Sequence, residues 1–355
     1  MQRKSSLKIS IVMSFFLLLF VANSPDRQLG ELSHKIAFLK KGEVWVSDLG
    51  GQKMKQITSD SGKIDDFQFS PSLKYLAYGR IIRFEDEPGL WDDTDKVPQC
   101  AVCSIKIMNL ETGNVIKEIT LKEDRWIYIS KWLPGNKLYY YGSSGLDVSG
   151  FYTYDIQKDL MEEIDYEKSS SILGAEYCAD GSLKTYVDDS GVGKEFRMNL
   201  HLVDVKTHAD RILVSKRSIA DHRLANDLNR VAFVEVEDVE KKYYDNLWVY
   251  DIKGNSLRCF YRGPANAKSG GVNGLSWSFD DRFIGMFFQP NATVIEVKHP
   301  DSCWRIQGSD FSWIDNGRIV FAKVDDTYLY SLETRTSDLL IEGASKPAFL
   351  WKKDY

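Results

Sequence analysis

Residues Phe69–Gly79, with the sequence FSPSLKYLAYG, have the composition of a strand, a tight turn and a second strand. Pro presets a turn dihedral and Ser bonds its own backbone, whereas Leu, Tyr and Phe suit a pleated, half-buried surface. Five further segments repeat this order: WLPGNKLYYY from Trp132, YCADGSLKTY from Tyr177, LANDLNRVAFV from Leu224, WSFDDRFIGMFF from Trp277 and WIDNGRIVFAK from Trp313. The chain is therefore predicted to repeat one antiparallel hairpin along its length.

Each hairpin is followed by a third strand that ends in a second polar turn. The six segments are IKIMNLETG, FYTYDIQKD, LHLVDVKTH, LWVYDIKGN, VIEVKHPDS and YLYSLETRT, and a shorter fourth strand follows, as in VIKEIT and DLLIEG. Four antiparallel strands that recur at intervals of roughly 36 to 63 residues, without an amphipathic helix between them, are typical of a β-propeller rather than a sandwich or solenoid. The sequence therefore predicts an all-β propeller.

The two ends of the repeat region complete each other. The first unit, HKIAFLKKGEVWVSDLGGQKMKQIT from His34, lacks a first strand, and KPAFLWKKDY at the end of the chain supplies a lone strand. We expect Pro347–Trp351 to insert as the innermost strand of the N-terminal blade, which closes a ring of seven blades over residues 34–355 as a single domain. Closure removes the edge that an open ring would expose to aggregation. The alternatives are a ring of six blades and a frayed C-terminal tail.

The units resemble the repeats of TolB-like and WD-repeat-like propellers, and of the related non-catalytic propellers of prolyl-oligopeptidase-type enzymes. Those families pair a W-S-P-D-G-x-x-I-A-Y hairpin with a V-W-V-x-D-L-x-G-G strand and turn. The nearest copies here are FSPSLKYLAY from Phe69 and VWVSDLGGQKMKQIT from Val44. The resemblance implies a propeller fold over nearly the whole chain after about residue 34. Because the matching residues make turns and core, it implies no particular activity.

The N-terminus has the pattern of an export signal. Arg3, Lys4 and Lys8 precede the apolar run ISIVMSFFLLLFVA, which is shorter than the roughly 18 to 20 residues that cross a bilayer. Ala22–Ser24 matches a small-residue cleavage site, but Pro25 directly after it is unfavourable, so an uncleaved signal-anchor is the alternative. We expect residues 1–24 to be the signal or anchor, residues 25–33 a short linker, and the protein extracytoplasmic: secreted, periplasmic or held at the cell surface.

Composition and motifs exclude several function classes. The net charge of −5 and the lack of a basic run argue against a nucleic-acid partner. The chain has no G-x-S-x-G nucleophile elbow and no HxH or HExxH metal motif, so no cofactor or metal is expected. Among the five cysteines, Cys100 and Cys103 form a single CxxC, which we interpret as a local disulfide or as plain buried thiols.

Long connections are expected on one face of the ring. In a meander the second-to-third and fourth-to-first connections share a face, and five long segments belong to these classes: Arg80–Ala101, Gly142–Gly150, Asp188–Arg197, Glu235–Asn246 and Gly263–Val272. On the other face nearly all connections are tight turns. Long loops gathered on one side of a rigid scaffold indicate a binding surface.

The candidate binding residues lie in three of these segments. Trp91 stands among Asp92, Asp93 and Asp95 as an aromatic anchor in an acidic collar, the alternatives being a solvated acidic loop or calcium shared by Asp93 and Asp95. Lys194 lies in a Gly-rich turn, and Tyr243 and Tyr244 offer contact area at little entropic cost, although one of two adjacent residues in a strand points inward.

The function expected from the sequence is binding without catalysis. We expect an exported propeller that holds a protein or cell-envelope ligand on its long-loop face. The alternative is a carbohydrate-active or lyase-type enzyme with carboxylates or histidines near the central channel.

Overall fold

The computed structural model describes residues 32–350, except for residues 62, 87–98, 122–125, 144–147, 166–173, 179, 192, 194–195, 241, 265–273 and 289–290. Its strands form seven four-stranded antiparallel sheets, the blades of an all-β propeller. The seven-bladed fold predicted from the repeats is therefore confirmed.

The strands of blades 1 to 3 are β1 (Lys35–Lys40), β2 (Glu43–Ser47), β3 (Lys55–Gln56), β4 (Ile64–Phe69), β5 (Tyr75–Asp86), β6 (Gln99–Asn109), β7 (Val115–Ile119), β8 (Trp126–Leu133), β9 (Lys137–Ser143), β10 (Val148–Asp155) and β11 (Leu160–Ile164). Blade 4 consists of β12 (Glu176–Tyr177), β13 (Leu183–Ser190), β14 (Arg197–Asp204) and β15 (Asp210–Lys216). Blades 5 to 7 contain β16 (Asp221–Leu224), β17 (Arg230–Val239), β18 (Lys242–Asp251), β19 (Ser256–Pro264), β20 (Gly274–Trp277), β21 (Phe283–Phe288), β22 (Asn291–Glu296), β23 (Cys303–Gln307), β24 (Ser309–Trp313), β25 (Arg318–Lys323), β26 (Asp326–Ser331) and β27 (Thr336–Ile341). The last strand is β28 (Ser345–Leu350).

The C-terminal strand closes the ring by joining the N-terminal sheet. The order in blade 1 is β28-β1-β2-β3, and β28 runs antiparallel to β1 with Ile36 opposite Phe349 and Ala37 opposite Ala348. Closure is thus as predicted, although the strand begins two residues earlier than expected, and Trp351 lies outside the described residues. The chain ends are held together by a backbone ladder.

Apolar side chains between blades form the core. Six of the seven blade interfaces share an apolar cluster among the described residues; examples are Val46 with Leu76 between blades 1 and 2, and Leu247 with Met286 between blades 5 and 6. Between blades 3 and 4 the blade 4 surface is polar instead. There His201 is buried, its ring stacks on Tyr186 at 4.5 Å, and its Nδ1 lies 2.9 Å from Asp210 Oδ1.

The innermost strands are linked by hydrogen bonds around the channel. In the first strands of blades 2, 3, 5, 6 and 7, a polar residue directly before an aromatic residue or a leucine bonds the neighbouring blade through its side chain or its carbonyl. The bonds are Gln68 Nε2 to Ser130 O at 3.0 Å, Lys131 Nζ to Ala175 O at 2.6 Å, Trp277 Nε1 to Arg223 O at 3.1 Å, Trp313 Nε1 to Ser276 Oγ at 2.8 Å and Phe349 N to Ser312 Oγ at 3.0 Å. Five of the seven blades therefore contribute such a bond to their neighbour.

Two stretches expected to be loops are largely strand. Residues 235–246 pair across β17 and β18 out to Val239 opposite Lys242, and residues 80–86 and 99–104 extend β5 and β6 to Asp86 opposite Gln99. The cause is visible in VEVEDV, where small apolar residues alternate with charged ones in the strand period although the charge density suggests a loop. Both connections are long, as predicted, but much of their length is paired β-hairpin rather than loop.

The CxxC segment holds no local disulfide. Cys100 and Cys103 both lie in β6, and three residues of extended strand separate their Cα atoms by about 10 Å, beyond the reach of a disulfide. Cys103 is a buried free thiol, and burial raises its pKa to about 11. The alternative of a plain buried thiol is confirmed for Cys103.

Candidate functional site

The two faces of the ring differ in height. We call the face with the second-to-third and fourth-to-first connections the hairpin face, and the other the turn face. All second-to-third ladders begin beside the short turns of the turn face, so the last pair of each ladder measures how far that blade rises on the hairpin face. In blades 6, 7 and 1 the last pairs are Phe288 with Asn291, Lys323 with Asp326 and Lys40 with Glu43. These three adjacent blades form a low rim.

Blades 2 and 5 rise well above this rim, whereas the hairpin strands of blades 3 and 4 have seven or eight residues and exceed it by one or two. Blade 5 has ten residues in each of β17 and β18, against six in each of β21 and β22 of blade 6. At about 3.3 Å per residue, the four extra residues lift the blade 5 hairpin about 13 Å above its neighbour. Blade 2 extends further, with twelve residues in β5 and eleven in β6. The hairpin face is therefore high at blades 2 and 5, low along blades 6, 7 and 1, and intermediate at blades 3 and 4.

The fourth-to-first connections follow this division only in part, because four residues (217–220) link blade 4 to blade 5 and seven (57–63) link blade 1 to blade 2. A single residue, Gly308, joins β23 of blade 6 to β24 of blade 7, and a Cβ atom added at Gly308 would lie 2.4 Å from the carbonyl oxygen of Ala322. In the sequence, by contrast, nine residues (265–273) connect β19 of blade 5 to β20 of blade 6. The low rim thus has short second-to-third connections, and the links from blade 6 to 7 and from blade 7 to 1 are short as well.

Five of the seven predicted contact residues lie outside the described part of the chain. These are Trp91, Asp92, Asp93 and Asp95 between β5 and β6, and Lys194 between β13 and β14. The calcium alternative at Asp93 and Asp95 also falls on these residues.

Tyr243 and Tyr244 lie in β18, near the top of the blade 5 hairpin, and point to opposite sides of it. Tyr243 is 49% exposed. Tyr244 is half-buried under the guanidinium of Arg262, whose carbon lies 5.0 Å from the ring centroid. Arg262 in turn pairs with Glu237 at 3.1 Å. Of the two tyrosines, Tyr243 is the one whose side chain is exposed.

Asp245 lies below Tyr243 on the same side of β18, and this buried acid is not among the contact residues predicted from the sequence. Leu247 packs against blade 6, and side chains alternate along a strand, so Asp245 and Tyr243 point toward blade 6 as well. Asp245 is only 3% exposed, and its buried Oδ1 has no hydrogen-bond partner. Burial raises the pKa of this carboxyl. Such a group costs stability, which makes it a candidate for a functional role.

The opposite side of the blade 5 hairpin carries a paired set of charges. Glu235 Oε2 accepts from Lys216 Nζ at 3.0 Å and from Trp248 Nε1 at 2.9 Å, and the Lys216 ammonium lies 4.1 Å from the Trp248 ring centroid. These groups are hydrogen-bonded and paired with one another across the interface between blades 4 and 5, so they stabilise that interface.

A second polar cluster lies at the inner strands of blades 3 to 6. Arg223 Nη1 lies 2.8 Å from Glu176 Oε1 and 3.0 Å from Asp221 Oδ1, and Asp221 Oδ2 accepts from the backbone N–H of Leu275 at 2.6 Å. Burial lowers the pKa of Lys131 to about 8 and that of His222 to about 3, so this imidazole is neutral at physiological pH. The cluster contains carboxylates and a histidine, as the enzyme alternative expects, but both carboxylates are already paired with Arg223.

Two cavities open elsewhere. One of about 270 Å³ on the turn face is lined by His34, Phe279, Ile314, Arg318 and Phe349, and one of about 160 Å³ lies between blades 1 and 2. Within the described residues, no group of three or more His, Cys, Asp or Glu side chains is placed to hold a metal ion. None of the helical segments in that same part of the chain has the length and apolar character needed to span a bilayer.

No protein-family model matches this sequence, and no curated protein does. Among solved structures, an uncharacterized protein from Listeria monocytogenes EGD-e is similar with a TM-score of 0.52 and 12% identity, over 88% of this chain and 92% of that one. A functionally unknown protein from Desulfotomaculum acetoxidans DSM 771 gives a TM-score of 0.50 at 8% identity, over 90% and 99%. TolB from Acinetobacter baumannii gives 0.43 at 15% identity, and this chain covers 88% of its own length but 65% of the TolB chain. The similarity is that of the propeller fold.

Proposed function

We propose that the protein is an exported, non-enzymatic propeller that holds a protein or cell-envelope ligand on its hairpin face. The observation that carries the proposal is the step in height between the elongated hairpins of blades 2 and 5 and the low rim of blades 6, 7 and 1. A propeller closes without such elongated hairpins, as the short ladders of blade 6 and blade 7 demonstrate. Structure beyond what closure requires, gathered on one side of a rigid scaffold, is typical of a binding surface.

Tyr243 supports the proposal from the chemistry of the surface. It stands near the top of the blade 5 hairpin with half of its side chain exposed, although β18 could present a charged residue there at no cost. Tyrosine buries a large contact area on binding while losing few rotamers. The basic, apolar N-terminal segment supports export, and the repeat motif supports grouping the chain with the TolB-like propellers.

The enzyme alternative has less support in the described residues. An acid and base at the channel need free carboxylates or imidazoles facing a substrate. Glu176 and Asp221 instead neutralise Arg223, and the contacts of this cluster fasten neighbouring inner strands to one another. Binding by the hairpin face therefore fits the arrangement better.

Site-specific photo-cross-linking tests the proposal. A benzophenone amino acid is placed at Tyr243, and in a matched control at Leu339, which is 55% exposed on the outer strand of blade 7. Cells that produce each variant are fractionated and irradiated. We expect a discrete cross-linked product from position 243 in the extracytoplasmic fraction and none from position 339. Products of equal yield from both positions, or none from position 243, would contradict the proposal.

A further inference from the structure

We propose that the hairpin face recognises a primary ammonium group, a lysine side chain of the partner, between the ring of Tyr243 and the carboxylate of Asp245. The inference rests on the proposed function and gives the chemistry of the partner at that same face. It applies to the side of the blade 5 hairpin that looks over blade 6, which we call the blade 5 wall (residues 236–240 and 242–245).

The wall rises where blade 6 ends. The β21–β22 ladder stops at Phe288 opposite Asn291, six residues along each strand, while Asp245 is the seventh and Tyr243 the ninth residue of β18 counted upward from Asp251. Asp245 therefore lies just above the top of the blade 6 ladder, and Tyr243 stands one further step above it. The two side chains are about 7 Å apart along one face of the strand.

Asp245 is a buried carboxyl group with no cationic partner among the described residues. It is more than nine-tenths buried, it forms no ion pair with any described residue, and its Oδ1 has no hydrogen-bond partner. The residue opposite Asp245 on β17 is Val236, whose apolar side chain offers the carboxyl group neither a hydrogen bond nor a charge. Folded proteins pair nearly all buried polar groups, so a lone buried carboxylate calls for a partner that arrives from outside.

The surroundings favour a cation over an anion. On the same side of the wall Asp238 stands opposite Tyr243, and the exposed acid Glu240 lies in the turn above. In the sequence Lys241 follows Glu240, the exposed Lys242 comes next, and Arg262 pairs with Glu237 on the other side of the sheet. The ring of Tyr243 adds the negative face of its π-system, which attracts cations.

The depth of Asp245 selects among cations. A lysine ammonium is a compact charge on a flexible four-carbon stem, which suits an acid that lies below the surface and beneath an aromatic ring. Calcium requires six or more oxygen ligands, and the described residues of the wall place one buried carboxylate there. The ammonium would pair with Asp245, and its methylene stem would lie against Tyr243.

Binding of small probes to the purified full-length protein tests the inference. The probes are Nα-acetyl-lysine methylamide and its neutral isostere Nα-acetyl-norleucine methylamide, and saturation-transfer NMR measures their dissociation constants. We expect wild type to bind the lysine probe in the millimolar range, at least tenfold more tightly than the norleucine probe. Asp245→Asn should weaken the lysine probe at least tenfold, Tyr243→Ala several-fold, and Tyr243→Phe less than twofold.

The matched control is Glu240→Gln, which removes an exposed acid near the same tip and should change binding less than twofold. Equal binding of the two probes to wild type, or an unchanged constant in Asp245→Asn, would overturn the inference. The wild-type comparison holds even if a variant folds poorly. If the cross-link from position 243 persists when Asp245→Asn is added, the binding face stands and the ammonium site is ruled out. If position 243 gives no cross-link with Asp245 intact, the proposed function itself is contradicted.

Discussion

The backbone N–H of His34 donates to the carbonyl of Leu350 at 2.8 Å, so the first and last strands of the described chain are joined directly. The side chain of Leu350 is 3% exposed and belongs to the apolar cluster between blades 1 and 2, beside Ala37 and Tyr78. One short strand therefore contributes both a ladder and a core residue to closure. Closure holds the seven blades around one channel, and so it fixes the position of the elongated hairpins of blades 2 and 5 relative to the low rim.

Truncating Leu350 should weaken closure strongly. Leu350→Ala removes a buried side chain from the cluster between blades 1 and 2, and such substitutions cost about 2 to 5 kcal/mol. Leu339→Ala, an exposed leucine on the outer strand of blade 7, is the matched control and should change stability by less than about 0.5 kcal/mol. Urea unfolding measures both. Equal midpoints for the two variants would mean that β28 is not part of the cooperative ring.

The channel cluster should show energetic coupling. Arg223 contacts Glu176 across the interface between blades 4 and 5 at 2.8 Å, with each side chain about 30% exposed. A double-mutant cycle with Arg223→Ala and Glu176→Ala should yield a coupling energy of about 0.5 to 3 kcal/mol in unfolding experiments. Strictly additive effects would show that the pair contributes nothing to holding the inner strands together.

Lys131 should make stability depend on pH in the alkaline range. Burial lowers the pKa of the folded lysine from 10.5 to about 8, so between these values the unfolded chain binds the proton more tightly. Unfolding then takes up a proton, and stability rises with pH. We expect the stability of wild type relative to Lys131→Met to increase from about pH 8 to about pH 10.5, as measured by urea titrations across this range. A flat or falling difference would contradict the burial of the ammonium.

Asp245 should oppose folding at neutral pH. Burial raises its folded pKa above the unfolded value, so the folded state loses stability as pH rises through that interval and stays penalised above it. Asp245→Asn removes the buried charge and should stabilise the protein by about 1 kcal/mol at pH 7. The gain should vanish as pH falls toward about 4, because both forms are then neutral. A variant less stable than wild type at pH 7 would indicate a partner within the fold.

The sequence predicted the parts of the fold that repeat. Turn residues and alternating aromatics revealed each blade, and the lone segment at Pro347 predicted closure because an incomplete first repeat needs one more strand. The sequence pattern predicts loops at residues 80–101 and 235–246, because charged residues such as Glu237 and Asp238 mask the period of a strand.

The candidate site was less accessible to sequence reasoning. Tyr243 was found because exposed aromatics in long connections suggest contact surfaces. Asp245 was missed, since its importance lies in burial without a partner, and burial depends on which neighbouring blade is short. The hydrogen bonds between inner strands had one visible signal in the sequence, a polar residue directly before an aromatic residue in several first strands, as in Lys131-Trp132 and Ser276-Trp277.

Shortening the blade 5 hairpin tests the role of the hairpin face most directly. Replacing residues 236–245 with Asn-Gly ends the ladder at Glu235 opposite Asn246, the height of blade 6, with a turn suited to a two-residue hairpin. The control carries Asn-Gly in place of Val324-Asp325 at the tip of blade 7. The dissociation constant of each variant is measured for the partner cross-linked at position 243. We predict at least tenfold weaker binding for the shortened hairpin and unchanged binding for the control, at similar melting temperatures. Equal affinity of the shortened protein and wild type would contradict a binding role for this wall.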